Sequence, residues 1–307
     1  MYRTVKILAL SILVAVIAIE TSAQIKPTAT YEYVKRDSSL YFDFYKSEKS
    51  AENYTLVFVF GGGFIGGSRD QDYYLPYYQK LVENNFNVVA IDYRLGLKGV
   101  KGISALNRKP LENAISMAAE DLLTATKYLI DHENDLKIDS KKLIIAGSSA
   151  GAITVLQADY ELCNGTKLGQ ILPDGFHYAG VMSFAGAIYS KKGKVKYRQQ
   201  APAPTMFLHG TADRLVTYKQ IKLFNVGFIG SSKIAPRFEK YGYPYYIVRY
   251  GDLGHEVAAR MLDDFDKSMW FIDNYIVRGA KIKRDDFIFD PTIEHHKFGS
   301  ARPSDLY

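Results

Sequence analysis

Cysteine is almost missing from this sequence: Cys163 stands alone among 307 residues. A lone thiol cannot close a bond within its own chain, so a disulfide scaffold is excluded and an apolar core must hold the fold. Membrane-length hydrophobic runs are missing as well. The apolar run at the N-terminus, Ile7 to Ile19, is 13 residues long, short of the roughly 20 needed to cross a bilayer. Neither sign of charge dominates: 39 Lys and Arg against 33 Asp and Glu leave a net charge of +6. Outside "YSKKGKVKYR" (Tyr189 to Arg198) the positive residues are scattered, and that stretch reads as a solvated loop, so nucleic acid is not an expected partner. Repeats, low-complexity blocks and linkers are also wanting, which argues against a second domain.

What is present suits a globular chain with a sizeable core: 47% of the residues are hydrophobic and 23% charged. Residues 1 to 23 have the build of an export signal. Arg3 and Lys6 supply a positive start, "ILALSILVAVIAI" an apolar centre, and "TSA" a small-residue cleavage site ending at Ala23. The expected product begins at Gln24 with a net charge of +5, since Arg3, Lys6 and Glu20 leave with the leader. An uncleaved anchor is the alternative. No cysteine follows the apolar stretch to take a lipid, so a periplasmic or secreted protein with no stable membrane anchor is expected.

After residue 53 strand and helix signals alternate. "YTLVFVF" (54–60), "NVVAID" (87–92), "KLIIAG" (142–147), "YAGVMSFAG" (178–186), "TMFLHG" (205–210) and "YPYYIVRYG" (243–251) read as strands. Most are nearly continuous apolar runs, as strands covered on both faces are. Asn113 to His132 carries a strong amphipathic helix pattern, with further helices expected over Ala150 to Tyr160 and Val257 to Ile276. The alternation predicts an α/β fold with a mostly parallel central sheet flanked by helices. "YEYVKRDSSLYFDFYKS" (31–47) alternates as an antiparallel hairpin at the sheet edge would. A single domain over 24–282 accounts for these elements and leaves 283–307 as a tail of unassigned role. Only 18 residues, Ala187 to Pro204, separate two of the strands, too few for a large lid.

The run "KKLIIAGSSAG" ends a strand in Gly147-Ser148-Ser149-Ala150-Gly151 just before a helix. This G-x-S-x-G arrangement is a nucleophile elbow: flanking residues must be small for the turn to close, and the central serine projects beyond the strand. A serine hydroxyl is a weak nucleophile and needs a base, which needs an orienting carboxylate, in the chain order Ser, Asp, His. Asp213 follows "TMFLHG" and His255 follows "YIVRYG", each at the end of a later strand. Helix capping by Asp213 and a plain loop role for His255 are the competing readings. Asp252 is a reserve acid on the histidine's own loop, while His132, His177 and His209 sit in or beside regular elements, where structural roles are the default. Glu294, His295 and His296 lack a second ligand group at metal spacing, so no metal is expected.

Acyl chemistry also needs donors for a developing oxyanion. "VFVFGGGFIGGSRD" (57–70) offers a glycine loop at the end of an early strand, where Gly62 and Gly63 could join the N–H of Ala150. The same loop matches G-x-G-x-x-G, with Asp92 at the end of the next strand, as a dinucleotide site would require. That reading lacks the helix that should begin at once and leaves Ser149, Asp213 and His255 unexplained. No cofactor is therefore expected.

Taken together, "FVFGGGFIGGS", "VVAIDYRL", "KLIIAGSSAG", "HGTADRLV" and "GHE" resemble the α/β-hydrolase superfamily, in its esterase and lipase branch near the hormone-sensitive-lipase-like and bacterial feruloyl-esterase-like groups. The resemblance covers roughly residues 50 to 276. It implies Ser149 as nucleophile, Asp213 as acid, His255 as base, Gly62, Gly63 and Ala150 as oxyanion donors, and Asp92 and Arg94 as structural ties. The implied substrate is a small or polysaccharide-linked ester, with acetyl or feruloyl esters of plant polysaccharide in view. A peptidase or amidase using the same three residues, and a non-catalytic binding module, are the alternatives. One position departs from the pattern: Phe60 stands where those families usually carry a histidine that braces the glycine loop.

Overall fold

The computed structural model describes residues 24–48, 53–102 and 107–302. The expected export signal lies outside them. In chain order the elements are β1 (Ala29–Lys35), β2 (Ser39–Tyr45), β3 (Thr55–Val59), α1 (Leu75–Glu83), β4 (Asn87–Ile91), α2 (Lys109–Asp131), a short α3 (Glu133–Leu136), β5 (Leu143–Ser148) and α4 (Ala150–Cys163). There follow β6 (Gly180–Phe184), β7 (Ala187–Ser190), β8 (Thr205–Gly210), β9 (Gln220–Leu223), β10 (Val226–Gly230), α5 (Ser231–Tyr241), β11 (Tyr245–Tyr250), α6 (Phe265–Phe271) and β12 (Lys283–Ile288).

Nine of these strands form one sheet in the order β1-β2-β4-β3-β5-β6-β8-β11-β12. From β4 to β12 all neighbours are parallel, while β1 and β2 form an antiparallel hairpin at one edge. Such a sheet must be covered on both faces because its crossovers are helices, and the central strands show it: every residue of β3, β4 and β5 is buried. The consequence for function is positional. Parallel strands all end on one side, so the turns after β3, β5, β8 and β11 gather there.

Three parts differ from the sequence expectation. The helix expected over 257–276 is broken: His255–Ala259 is a 3₁₀ turn, and α6 begins only at Phe265 and runs into a π-helical turn, Ile272–Val277. Asp264 stands at the break. Its buried carboxylate turns inward to accept from the Tyr250 hydroxyl at 2.5 Å and from Arg260 and Lys267. Secondly, β7, β9 and β10 build a small antiparallel sheet beside the main one, joined to α4 by Tyr189 N–H donating to the Gln157 side chain. Thirdly, the segment after residue 282 begins as β12, in parallel register with β11 from Tyr245↔Lys283 to Tyr250↔Ile288.

Cys163 ends α4 in a buried pocket, where burial pushes its thiol up. One turn earlier Asp159 is buried too, with the Cys163 thiol and the Ala203 N–H as hydrogen-bond donors. Burial outweighs these donors and raises the Asp159 carboxyl to about 7. A carboxyl whose folded pKa is raised loses stability as pH climbs from its unfolded value near 4 to about 7, by up to about 4 kcal/mol in all. Asp159→Asn keeps an acceptor for Ala203 and carries no charge. Thermal unfolding should therefore show the variant gaining more over the wild type at pH 8 than at pH 4.5.

Candidate active site

The turn from β5 to α4 is built around Ser149, held at φ 53° and ψ −115°. A non-glycine residue enters this part of backbone space only when its surroundings force it. Here they do. A Cβ on Gly147 would stand 2.4 Å from Gly151, and one on Gly151 only 2.0 Å from the Val59 carbonyl oxygen, so both flanking positions must be glycine for α4 to lie against the end of β3. Ser149 N–H donates to the Phe184 carbonyl at 2.9 Å, fixing the turn to the neighbouring strand.

The structure brings the three residues expected from sequence into one line. Ser149 Oγ lies 2.7 Å from His255 Nε2, and His255 Nδ1 lies 2.8 Å from Asp213 Oδ2. His255 opens the 3₁₀ turn after β11 and is buried, as is Asp213 after β8. The reserve acid Asp252 is exposed, its N–H donating to Thr211 Oγ1.

Asp213 is the most heavily bonded member. Leu215 N–H and Val216 N–H donate to its Oδ1 at 2.9 and 3.0 Å, while Oδ2 faces His255 and, at 3.3 Å, His209 Nε2. Burial would raise this carboxyl, but hydrogen bonds from His209 and His255 outweigh it and lower the pKa to about 2. His209, read from sequence as a structural strand residue, is thus a second histidine on the same carboxylate. It is fully buried, with Nδ1 on Ser231 Oγ and Nε2 also on the Val216 carbonyl.

The glycine loop lies against this elbow. A Cβ on Gly61 would sit 3.1 Å from the Ser148 carbonyl oxygen and 3.3 Å from Ser149 Cβ. Gly62 and Gly63 follow with φ of 120° and 64°, and the Gly62 carbonyl accepts from the N–H groups of Ile65 and Gly66. Ala150 is the first residue of α4, so its N–H is among those a helix start leaves without an intrahelical partner. No helix follows the loop at once, as a dinucleotide site would need; α1 begins only at Leu75.

The Phe60 side chain has no polar atom to bond the loop, but its ring lies against Gly67, where a Cβ would stand 2.7 Å from it. The same ring stacks on Tyr93 with centroids 4.4 Å apart, and the Tyr93 hydroxyl donates to the Phe60 carbonyl. The first glycine is held instead by Tyr74, whose hydroxyl accepts the Gly61 N–H at 2.9 Å, a contact no local sequence pattern announced. Asp92 and Arg94 are tied up nearby: Arg69 bonds Asp92, and Arg94 bonds Asp121 and Glu120. His295 meets the buried Glu256 at 3.3 Å, and among the described residues no three His, Cys, Asp or Glu side chains gather to hold a metal.

The likeness to known proteins follows the same lines. A family model described as BD-FAE matches residues 42–161, from the hairpin through the glycine loop and elbow to α4. The chain is 32% identical over 101 residues to fumonisin B1 esterase of Sphingopyxis macrogoltabida, which covers 32% of this chain and 18% of that one. It is 33% identical over 97 residues to juvenile hormone esterase of Heliothis virescens, covering 32% and 16%. The match thus spans less than a fifth of either curated relative. Among solved structures, the native form of the thermophilic esterase Est2 from Thermogutta terrifontis superposes with a TM-score of 0.58 at 19% identity, over 87% of this chain and 95% of that one. Its propionate-bound form gives 0.55 at 18%, over 79% and 94%. With the parallel sheet, the elbow after β5 and the ordered strand-end residues, these likenesses show the α/β-hydrolase fold, with residues 42–161 similar to the BD-FAE family.

Proposed function

We propose that this protein is an exported serine esterase. The observation that carries the reading is the unbroken line from Ser149 Oγ through His255 to Asp213, at distances of 2.7 and 2.8 Å, anchored by the ends of three parallel strands. In the first half-reaction Ser149 Oγ attacks an ester carbonyl as His255 Nε2 takes its proton. The tetrahedral oxyanion takes N–H donors from Gly62, Gly63 and Ala150. Its collapse breaks the carbonyl–alkoxy bond, and His255 passes the proton to the leaving alcohol. Water then attacks the acyl-enzyme by the same route, giving the acid and free Ser149. Asp213 holds the imidazole with Nδ1 protonated and offsets the positive charge it gains.

Export rests on the leader-like composition of residues 1–23, and esters borne by plant polysaccharide are the substrate class proposed for such an enzyme. Two curated relatives bearing the name esterase support ester over amide chemistry. The test is hydrolysis of p-nitrophenyl esters from acetate to octanoate, together with labelling by a fluorophosphonate. Turnover with stoichiometric labelling is expected, with acetylated and feruloylated xylan as the next substrates. A folded protein that neither hydrolyses the series nor takes the label overturns the reading in favour of a non-catalytic module.

A further inference from the structure

Three separate segments must keep register for the proposed reaction: the glycine loop after β3, the elbow after β5, and the turn carrying His255. One side chain outside them holds the first. Tyr74, the residue just before α1, is 3% exposed. Its ring packs on Phe58 of β3 at a centroid distance of 4.9 Å and stacks over Tyr78 at 6.2 Å. The hydroxyl accepts the Gly61 N–H at 2.9 Å, and Gly61 itself lies against the elbow, where a Cβ on it would sit 3.1 Å from the Ser148 carbonyl oxygen. Ser148 in turn donates to the carbonyl of Ala258, inside the His255 turn, at 2.8 Å.

Gly61 N–H can only donate, so the Tyr74 hydroxyl is its acceptor, and both groups are buried, where an unmade bond is costly. We propose that Tyr74 is the positioning residue of the oxyanion loop: its hydroxyl fixes Gly61, and through Gly61 the donors at Gly62 and Gly63, against the elbow. From just before α1 it supplies the polar contact that the Phe60 side chain, lacking a polar atom, cannot make. The assignment rests on the esterase reading above.

Tyr74→Phe removes one oxygen and keeps the ring. Its effect should fall on the transition state, because a shifted loop misplaces donors that matter most when charge develops. We expect kcat to fall about 10- to 100-fold with KM within about twofold of wild type, a smaller loss than deleting an oxyanion donor outright. The inhibition constant of a trifluoromethyl ketone, whose adduct carries the same oxyanion, should rise by the factor that kcat/KM falls. A merely structural hydroxyl would lower the melting temperature and leave that constant unmoved. Unchanged kcat and unchanged ketone affinity in a folded Tyr74→Phe overturn the assignment alone. A wild type that binds neither the ketone nor a fluorophosphonate overturns the esterase reading and this assignment with it. Should Tyr74→Phe not fold, 3,5-difluorotyrosine placed at position 74, whose hydroxyl is a weaker acceptor for the Gly61 N–H, carries the test: the same parallel loss, several-fold in size, is expected, and its absence in the folded protein overturns the assignment.

Discussion

Ser149→Ala should abolish ester turnover, with a loss of about 10⁶-fold in kcat, and His255→Ala should do nearly the same. The size follows from the coupling. Without His255 the hydroxyl has no acceptor for its proton 2.7 Å away, and without the hydroxyl the histidine has nothing to activate, so either loss disables the same step. The double variant should therefore be no worse than either single one, where independent contributions would multiply. Residual activity of roughly 10³-fold over water is expected to remain in all three, from substrate binding and the oxyanion donors. The measurement is kcat on p-nitrophenyl butyrate, with fluorophosphonate titration to exclude traces of wild type. Retention of most activity by Ser149→Ala would remove the elbow from the chemistry.

The second large effect is at Asp213, where the replacement chosen matters. Asparagine is nearly isosteric, but its two ends differ. Leu215 N–H and Val216 N–H both donate to Oδ1, so the amide must keep its oxygen there and turn its NH₂ toward His255. His255 Nδ1 must then accept, the ring proton moves to Nε2, and the Ser149 hydroxyl loses its base. A loss of about 10⁴-fold in kcat is expected with little change in fold. Stability supplies an independent check. The Asp213 pKa is lowered to about 2, so the ionised form contributes stability that is fully present above the unfolded value near 4 and lost as pH falls toward 2. Melting temperatures of wild type and Asp213→Asn should therefore converge between pH 5 and pH 2.5. Parallel curves across that window would mean that the carboxylate has no special stake in the folded state.

The sequence made the site's frame legible because its signals are local. A buried apolar strand, a turn that tolerates only glycine beside Ser149, and acids and histidines directly after later strands can all be read within ten residues. What escaped reading depends on distant partners or on exposure. Strand β9 is only four residues long and all four are exposed, so its alternation, Gln-Ile-Lys-Leu, is too short to mark a strand. Helix α5 carries Pro236 in its interior, which argues locally for a break. At the interruption of the helix after His255, Asp264 takes its partner from a distant element, the Tyr250 hydroxyl of β11. Phe60 signalled that something other than a histidine must hold the glycine loop. That a tyrosine thirteen residues on from Gly61 does so became visible once α1 was packed against β3.

β12 was unreadable for a related reason: "KRDDFI" carries four charges in six residues, as edge strands often do. Those charges have partners in the fold, with Arg249 bonding Asp285, Tyr246 bonding Asp286, and Arg284 resting 4.1 Å over Trp270. Its place in the sheet bears on how the protein is made. The strand that delivers His255, β11, is complete at residue 250, yet its outer edge stays open until the chain has been synthesised past residue 288. A ribosome that stalls, or a protease that trims, between those points would release a molecule holding Ser149, Asp213 and His255 but offering a bare, mostly buried-type strand to any neighbour. A copy lacking β12 would leave β11 as an open edge, so self-association of a chain truncated after residue 282 is the expected result, to be read by light scattering.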